Sequence, residues 1–179
     1  SIEVPAKKGF SIIATANTRD KGVNEMSAAL KRRFNIVVLP APETLEEEMD
    51  IVKTRVAQLS SGLDLNAALP KDAVIEKICT IFRELRQGET LDKKQKVKAP
   101  GGVLSSAEAI SLLCNSMALS GSFGNGEISD EDIAAGLQGA IVKDDDKDSV
   151  AWKEYLENIM KKRGSAWSGL YKACSELNQ

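Results

Sequence analysis

Residues 10–39 constrain the fold of this chain more than any other stretch. Their sequence, FSIIATANTRDKGVNEMSAALKRRFNIVVL, contains two apolar runs that flank a short amphipathic segment. The runs 10–16 and 35–39 are apolar on both faces, which is typical of central parallel strands. Residues 24–33 predict a short helix with Met26, Ala29 and Leu30 on one face. A strand, a helix and a strand in this order predict one right-handed crossover of a parallel sheet.

The sequence on either side of this stretch predicts where the unit begins and ends. Residues 1–4 alternate and 5–9 contain proline and glycine, which predicts a hairpin entering from upstream, so we expect a piece of a longer protein. Pro40 and Pro42 end the second strand, because proline cannot donate to a sheet ladder. We therefore predict two domains, 1–41 and 42–179.

The second domain has the periodicity of helices. Thr44 with Glu47 and Ser105 with Glu108 have capping-box spacing, and Ser129 with Asp132 marks a further helix start. Apolar stripes follow, of which the clearest are Leu45, Met49, Val52, Val56 and Leu59, and then Val74, Ile78, Phe82 and Leu85. Residues 88–104 are polar and predict a mobile loop or a weak hairpin. The predicted fold class is an α/β fragment, mostly helical: a strand–helix–strand piece followed by an all-α subdomain.

Composition excludes several classes of function. The chain has no histidine, so the commonest general base and metal ligand is missing. The three cysteines lie far apart in helix-like segments and predict buried thiols rather than bridges or metal ligands. The net charge of −2 makes nucleic acid an unexpected partner. No apolar run is long enough for a membrane span and no signal peptide is visible, so we expect a cytoplasmic protein.

Three patterns suggest sites that we do not predict. Asp144, Asp146 and Asp148 have calcium-loop spacing, but the glycine and the final acid of an EF-hand are missing, which favours a solvated acidic loop. The four lysines in 93–98 could contact phosphates, but a solvated loop is the preferred interpretation. The aromatic residues of 152–171 could stack on bases, although their helical spacing favours packing in the core.

The order ATAN, then SAALKRRF, then a helical domain resembles an AAA+ ATPase of the MoxR-like and dynein-related (McrB-type) branch. The resemblance covers the part from the hairpin before sensor 1 to the C-terminal lid. It implies that Asn17 is sensor 1, whose amide orients the attacking water and contacts the γ-phosphate. It implies that Arg33 is the arginine finger, which acts on the neighbouring subunit's nucleotide, with Arg32 as the alternative.

The resemblance is incomplete at two places. The family's sensor 2 arginine is not found in the matching stretch GGVLSSAEAISLL, so we do not assign that site. The 179 residues contain no G-x-x-x-x-G-K-[ST] loop (Walker A) and no strand ending in paired acids (Walker B). We therefore expect this chain alone to be inactive, and ATP and Mg²⁺ to be cofactors of the full-length protein only.

The resemblance implies a homo-oligomeric ring, a hexamer, that couples ATP hydrolysis to remodelling or activation of a partner protein. A von Willebrand A-type domain protein is the partner expected from this branch. The alternative function is a non-catalytic helical module for protein interaction.

Overall fold

The computed structural model describes residues 4–15, 27–63, 66–101, 104–143 and 145–177. The chain divides into two compact units, Ser1–Leu39 and Pro40–Gln179. The structure describes each unit by itself. In the described residues the chain is mostly helical, as predicted.

The first unit contains a turn and one short helix in its described part. The N–H of Phe10 donates to the carbonyl of Lys7 at 3.0 Å, with Gly9 at φ +85°. Helix α1 spans Ala28–Lys31. The predicted strands are not shown: residues 10–15 and 35–39 form no ladder, and Ile13 is 94% exposed and Leu39 85% exposed. A parallel strand has no hydrogen bonds of its own and needs a neighbour, and the described residues of this unit supply none.

The second unit is a helical bundle. Its helices are α2 Leu45–Ser60, α3 Asp72–Gln87, α4 Ser106–Phe123, α5 Asp130–Ile141, α6 Asp145–Asn158 and α7 Ser165–Glu176, with a 3-10 turn at Met160–Lys162 before α7. Helix α2 packs on α3 and α4, and α5 packs on α4 and α7. None of the described helices is both long enough and apolar enough to cross a bilayer.

Side-chain caps fix the starts of three of these helices. The pairs Thr44 with Glu47, Ser105 with Glu108 and Ser129 with Asp132 each form a reciprocal capping box, so the predicted spacing is confirmed. Each box satisfies N–H groups that have no partner within the helix, which stabilises the helix start by about 0.5–2 kcal/mol.

Helix α3 lies at the centre of this unit. Every residue from Ile78 to Leu85 is buried, including the charged residues Arg83 and Glu84. This second half of the helix is therefore surrounded by other elements, and its charges must find partners inside. Trp152 and Tyr155 of α6 are also buried, with ring centroids 5.8 Å apart, which confirms the predicted core packing of these aromatic residues.

Residues 88–97 form the weak hairpin that the sequence allowed. The N–H of Val97 donates to the Gly88 carbonyl at 2.9 Å, and Glu89 and Lys96 make one isolated antiparallel bridge. The acidic stretch differs from its prediction, because Asp148 is fully buried rather than solvated. Its two oxygens accept the N–H groups of Gly101 at 2.7 Å and Lys143 at 3.0 Å. Asp144 lies outside the described residues.

Candidate functional site

The predicted finger residues lie at the end of helix α1. Ser27 starts this helix, since its Oγ accepts the N–H of Leu30 at 3.3 Å. The N–H of Arg32 donates to the Ala28 carbonyl at 3.1 Å, and that of Arg33 donates to the Leu30 carbonyl at 3.0 Å. The helix therefore ends at the arginine pair, with both backbones held in the last turn.

The side chains of Arg32 and Arg33 are exposed, and neither guanidinium has a hydrogen-bond or ion-pair partner among the described residues. Cations at a helix C-terminus also complement its dipole, by about 0.3–1 kcal/mol, so position alone does not prove a function. The predicted sensor, Asn17, lies outside the described residues, and its pairing with either arginine stays a prediction.

The other described arginines are already paired. Arg55 donates to Gln58 at 2.8 Å on the surface of α2. Arg83, Arg86 and Arg163 pair with buried glutamates. Within the described ranges, Arg32 and Arg33 are thus the arginines whose guanidinium groups have no hydrogen-bond or ion-pair partner.

Sequence reasoning missed a buried carboxylate, Glu48, that joins three helices. Arg86 donates two hydrogen bonds to this carboxylate, from Nη1 to Oε1 at 3.1 Å and from Nη2 to Oε2 at 2.7 Å. Ser106 at the start of α4 donates its hydroxyl to Oε1 at 3.0 Å, and Arg83 Nη1 lies 3.4 Å from Oε2. The bidentate contact between Arg86 and Glu48 is the strong geometry of an arginine–carboxylate pair.

The two arginines extend this cluster to the backbone. Arg83 donates to the carbonyls of Pro42 at 3.1 Å, of Thr44 at 3.2 Å and of Glu43. Arg86 donates to the carbonyl of Leu104, which precedes α4, at 2.8 Å. The cluster therefore fixes the first residues of the helical unit to α3 and to the start of α4.

A second buried carboxylate, Glu84, holds the other side of α3. Its Oε2 accepts the Tyr155 hydroxyl at 2.7 Å, and its Oε1 accepts the N–H of Leu91 at 2.9 Å and a nitrogen of Arg163. The Arg163 guanidinium also stacks on the Trp167 ring, 4.6 Å from its centroid. Burial, and then the charge of Glu84, raise the pKa of Tyr155 well above its ordinary value, although Arg163 opposes them.

We interpret these clusters as structural, because the carboxylates and guanidinium groups bond to one another, to backbone groups and to the hydroxyls of Ser106 and Tyr155. One signal in the sequence could have revealed the first of them: Glu48 precedes Val52 and Val56 at intervals of four, on the buried stripe of α2. No group of acids and cysteines in the described part of the chain could hold a metal ion.

The start of α4, which the resemblance matched to the sensor 2 region, carries no arginine. Glu108 caps its own helix, and the nearest described guanidinium belongs to Arg86 of α3. Arg86 is paired with Glu48, so among the described residues this position has no unpaired guanidinium that could replace sensor 2.

The sequence of this chain is similar to known proteins along its whole length. The YehL-like AAA+ ATPase C-terminal domain family matches residues 46–179, and the AAA domain of the dynein-related subfamily matches residues 2–34. The second match includes both arginines of the α1 turn. It confirms the predicted relationship to AAA+ ATPases of the dynein-related branch.

A curated Escherichia coli (strain K12) protein, printed as "Uncharacterized protein YehL", is 34% identical over 173 residues. That alignment covers 96% of this chain and 47% of the relative, so the chain spans about half the length of the relative. No solved structure matches the chain. The chain therefore belongs to the YehL-like AAA+ ATPase C-terminal domain family.

Proposed function

We propose that this chain is the C-terminal part of a ring-forming AAA+ ATPase, in which Arg33 is the arginine finger and the helical unit is the lid. The observation that carries the proposal is the pair of exposed arginines without a described partner, at a helix end inside the dynein-related AAA match. In this proposal residues 1–41 complete their strand–helix–strand piece only within the full αβ core.

Arg33 has the physical properties that a finger requires. Its guanidinium is exposed, while its backbone N–H is held by the carbonyl of Leu30. Charge builds on the γ-phosphate oxygens during transfer, and a guanidinium at fixed geometry stabilises it, by about 10³–10⁵ in rate. Arg32 is the alternative, since it lies in the same turn and is equally exposed. Arg83 and Arg86 are poor candidates, because Glu48 and backbone carbonyls already accept their hydrogen bonds in the core.

Asn17 serves the same reaction from the other side of the nucleotide in this proposal. An asparagine amide can donate to a phosphate oxygen and accept from the attacking water at once. Asn17 would act on its own subunit's nucleotide, and Arg33 on the neighbour's. This chain has no Walker A or Walker B sequence, so in this proposal the remainder of the full-length protein supplies the binding site for ATP and Mg²⁺.

The helical unit is suited to move as one body. The Glu48 and Glu84 clusters tie α2, α3, α4 and α6 together, and Arg83 binds the carbonyls of 42–44 where the unit begins. A displacement of that connecting segment would therefore move the bundle rather than bend it. We propose that the ring, a hexamer, uses this movement to remodel or activate a partner protein, for which a von Willebrand A-type domain protein is the family-level candidate.

The direct test uses the natural full-length protein and measures ATP turnover and nucleotide binding separately. Arg33→Ala should lower turnover by about 10³-fold or more and leave the affinity for ADP unchanged. Arg55→Ala is the matched control, because Arg55 is exposed and contacts only Gln58 among the described residues. Normal turnover by Arg33→Ala with loss in Arg32→Ala would transfer the role to Arg32. Normal turnover by both variants would refute a finger in this turn.

A mixing experiment tests whether the two residues act in different subunits. Asn17→Ala and Arg33→Ala proteins should each be inactive, yet a mixture of equal amounts should regain activity. A site is complete where an Arg33→Ala subunit contributes Asn17 and its neighbour contributes Arg33, which is about a quarter of the interfaces in a randomly mixed ring. Failure to regain any turnover, with ring assembly confirmed, would refute action in trans.

The isolated 179-residue chain provides a third test. Titration with ATP and Mg²⁺ should give no binding heat, because the phosphate-binding loop is not in this sequence. Micromolar affinity would contradict this account of the nucleotide site. Absence of ATP turnover in the full-length protein would instead favour the non-catalytic interaction module.

A further inference from the structure

A basic cleft lies on the helical unit, away from the α1 turn in sequence. Residues 95–98, the second arm of the hairpin and the residue after it, lie beside the end of α6 and leave an opening of about 280 Å³. Its charged lining consists of Lys96 and Lys98 from this segment, Glu154 from α6 and Lys162 from the 3-10 turn after α6, so three ammonium groups face one carboxylate. The sequence predicted a solvated loop here, but did not indicate that a second basic segment would lie opposite.

The charges in this cleft are only partly neutralised. Lys96 Nζ is 2.9 Å from a carboxylate oxygen of Glu89, and this hydrogen bond lowers the pKa of Glu89. Lys98 Nζ is 4.0 Å from Glu154, the limit for an ion pair. Lys162 has no ion pair with any described residue. Two ammonium groups are thus weakly held or unpaired here, although the chain as a whole carries a net charge of −2.

The uncharged lining of the cleft includes apolar side chains and residues with side-chain amides. Val97, Tyr155 and Ile159 form an apolar, buried floor. Gln95 and Asn158 are also among the lining residues, and an amide side chain can both donate and accept a hydrogen bond. Amides beside an apolar floor suit the peptide groups of an extended chain, and the ammonium groups suit carboxylates.

We propose that this cleft binds an acidic peptide segment of a partner protein. Lys98 and Lys162 pair with two carboxylates of that segment, and Asn158 contacts its backbone. The volume of about 280 Å³ accommodates one or two side chains, and lies just below the range of drug-sized ligand pockets. The site does not use the α1 turn, so it stands whether or not the chain takes part in ATP hydrolysis.

The surroundings of the cleft disfavour a nucleic acid. Glu154 lines the cleft and Glu89 is bonded to the lining residue Lys96, and both carboxylates would repel a continuous phosphate backbone. Base stacking needs an exposed ring, but Tyr155, the aromatic residue of the lining, is buried and donates its hydroxyl to Glu84. A short segment with two separated carboxylates avoids both problems.

The test is binding of a fluorescein-labelled hexapeptide with blocked ends, Ala-Glu-Ala-Ala-Glu-Ala, to the 179-residue chain, measured by fluorescence anisotropy at low salt. Lys98→Gln with Lys162→Gln should weaken binding about tenfold, as expected when two exposed charge contacts are lost. The control, Lys53→Gln with Lys172→Gln, makes the same change in net charge at two other exposed lysines and should leave binding within about twofold. Lys98→Arg with Lys162→Arg should preserve binding.

Three results would overturn the proposal. The first is no binding of the hexapeptide with two glutamates by the parent chain at low salt. The second is equal weakening by the two double variants, which would mean attraction to net charge rather than to this cleft. The third is tighter binding of a single-stranded oligonucleotide that the Lys98→Gln, Lys162→Gln change abolishes, which would make the site one for nucleic acid. Circular dichroism of each variant shows whether it keeps the parent fold, and the arginine variant decides the matter if the glutamine variant does not.

Discussion

Replacing Glu48 with glutamine should strongly destabilise the helical unit. The Glu48 carboxylate is fully buried and receives both nitrogens of Arg86, one of Arg83 and the hydroxyl of Ser106. Glutamine has nearly the same shape, but it is neutral and presents an NH₂ group to a guanidinium. The change therefore leaves two arginine charges in the core without their counter-charge.

The size of the stability loss depends on the hydrogen-bond partners that Arg83 and Arg86 keep in the Glu48→Gln protein. Breaking a buried ion pair by removing one partner costs about 3–5 kcal/mol. The lower end applies here, because Arg83 keeps its backbone carbonyl acceptors, Arg86 keeps the Leu104 carbonyl, and their side chains are 9% and 15% exposed. A loss of about 3 kcal/mol lowers the melting temperature of a chain of this length by about 6–12 °C.

The assay is urea and thermal unfolding followed by tryptophan fluorescence, since Trp152 is buried and reports on the bundle. Glu46→Gln is the matched control: it makes the same chemical change in the same helical turn, at an exposed side chain. It should cost only the dipole contribution, about 0.3–1 kcal/mol.

Equal losses in the two variants would refute the reasoning, because burial and pairing would then contribute nothing. A double-mutant cycle adds a second check. Arg86→Gln alone should also be costly, but Glu48→Gln with Arg86→Gln should cost clearly less than the sum, since the pair is removed together. Simple additivity would show that the two side chains do not interact in solution.

Three further outcomes are expected from the same unfolding measurements and from thiol chemistry. Tyr155→Phe removes a hydrogen bond to a buried glutamate and should cost about 1.5–3 kcal/mol, whereas Tyr171→Phe, whose hydroxyl bonds an exposed carboxylate, should cost under about 1 kcal/mol. Gly126→Ala should cost about 1–3 kcal/mol, because Gly126 has φ +86° and an added Cβ would lie 2.7 Å from a backbone oxygen; Gly139→Ala, in open helix surface, should be neutral or stabilising. Burial raises the pKa of the Cys79 thiol from 9.0 to about 12. The thiol should therefore resist Ellman's reagent at pH 8 until denaturant is added. Its contribution to the free energy of unfolding should be complete below about pH 9 and should be lost as the pH rises toward 12. Equal costs for the two tyrosines, a stable Gly126→Ala protein, or a reactive native Cys79 would each contradict the corresponding contact.

Much of the helical unit could be predicted from local sequence. The capping boxes at Thr44, Ser105 and Ser129 lie where their spacing predicted, because a cap joins residues only three positions apart. The stripe of α2 was predicted through Leu59, but only Val52 and Val56 are buried, and Leu59 is half-exposed near the end of the helix. Periodicity shows which face can be buried, and the length of the neighbouring element decides how far the burial extends.

The candidate finger was accessible to sequence reasoning for the same reason. Arg32 and Arg33 follow a short amphipathic helix, and their order after the first apolar run is a local pattern. Their availability was not predictable, because it depends on which other arginines find partners. The strand–helix–strand prediction also depends on distant residues, since parallel strands are stabilised only by neighbouring strands.

The sequence by itself determined the helix starts, the family and the position of the arginine turn, because each depends on residues close together in the chain. The tertiary structure alone decided three other features: the partners of Glu48, the partners of Glu84, and the cleft between residues 95–98 and the end of α6. Glu48 meets Arg86 across 38 residues of sequence, and Glu84 meets Arg163 across 79. Such contacts leave no periodic trace, because the packing of whole helices, rather than any local preference, brings these charges together.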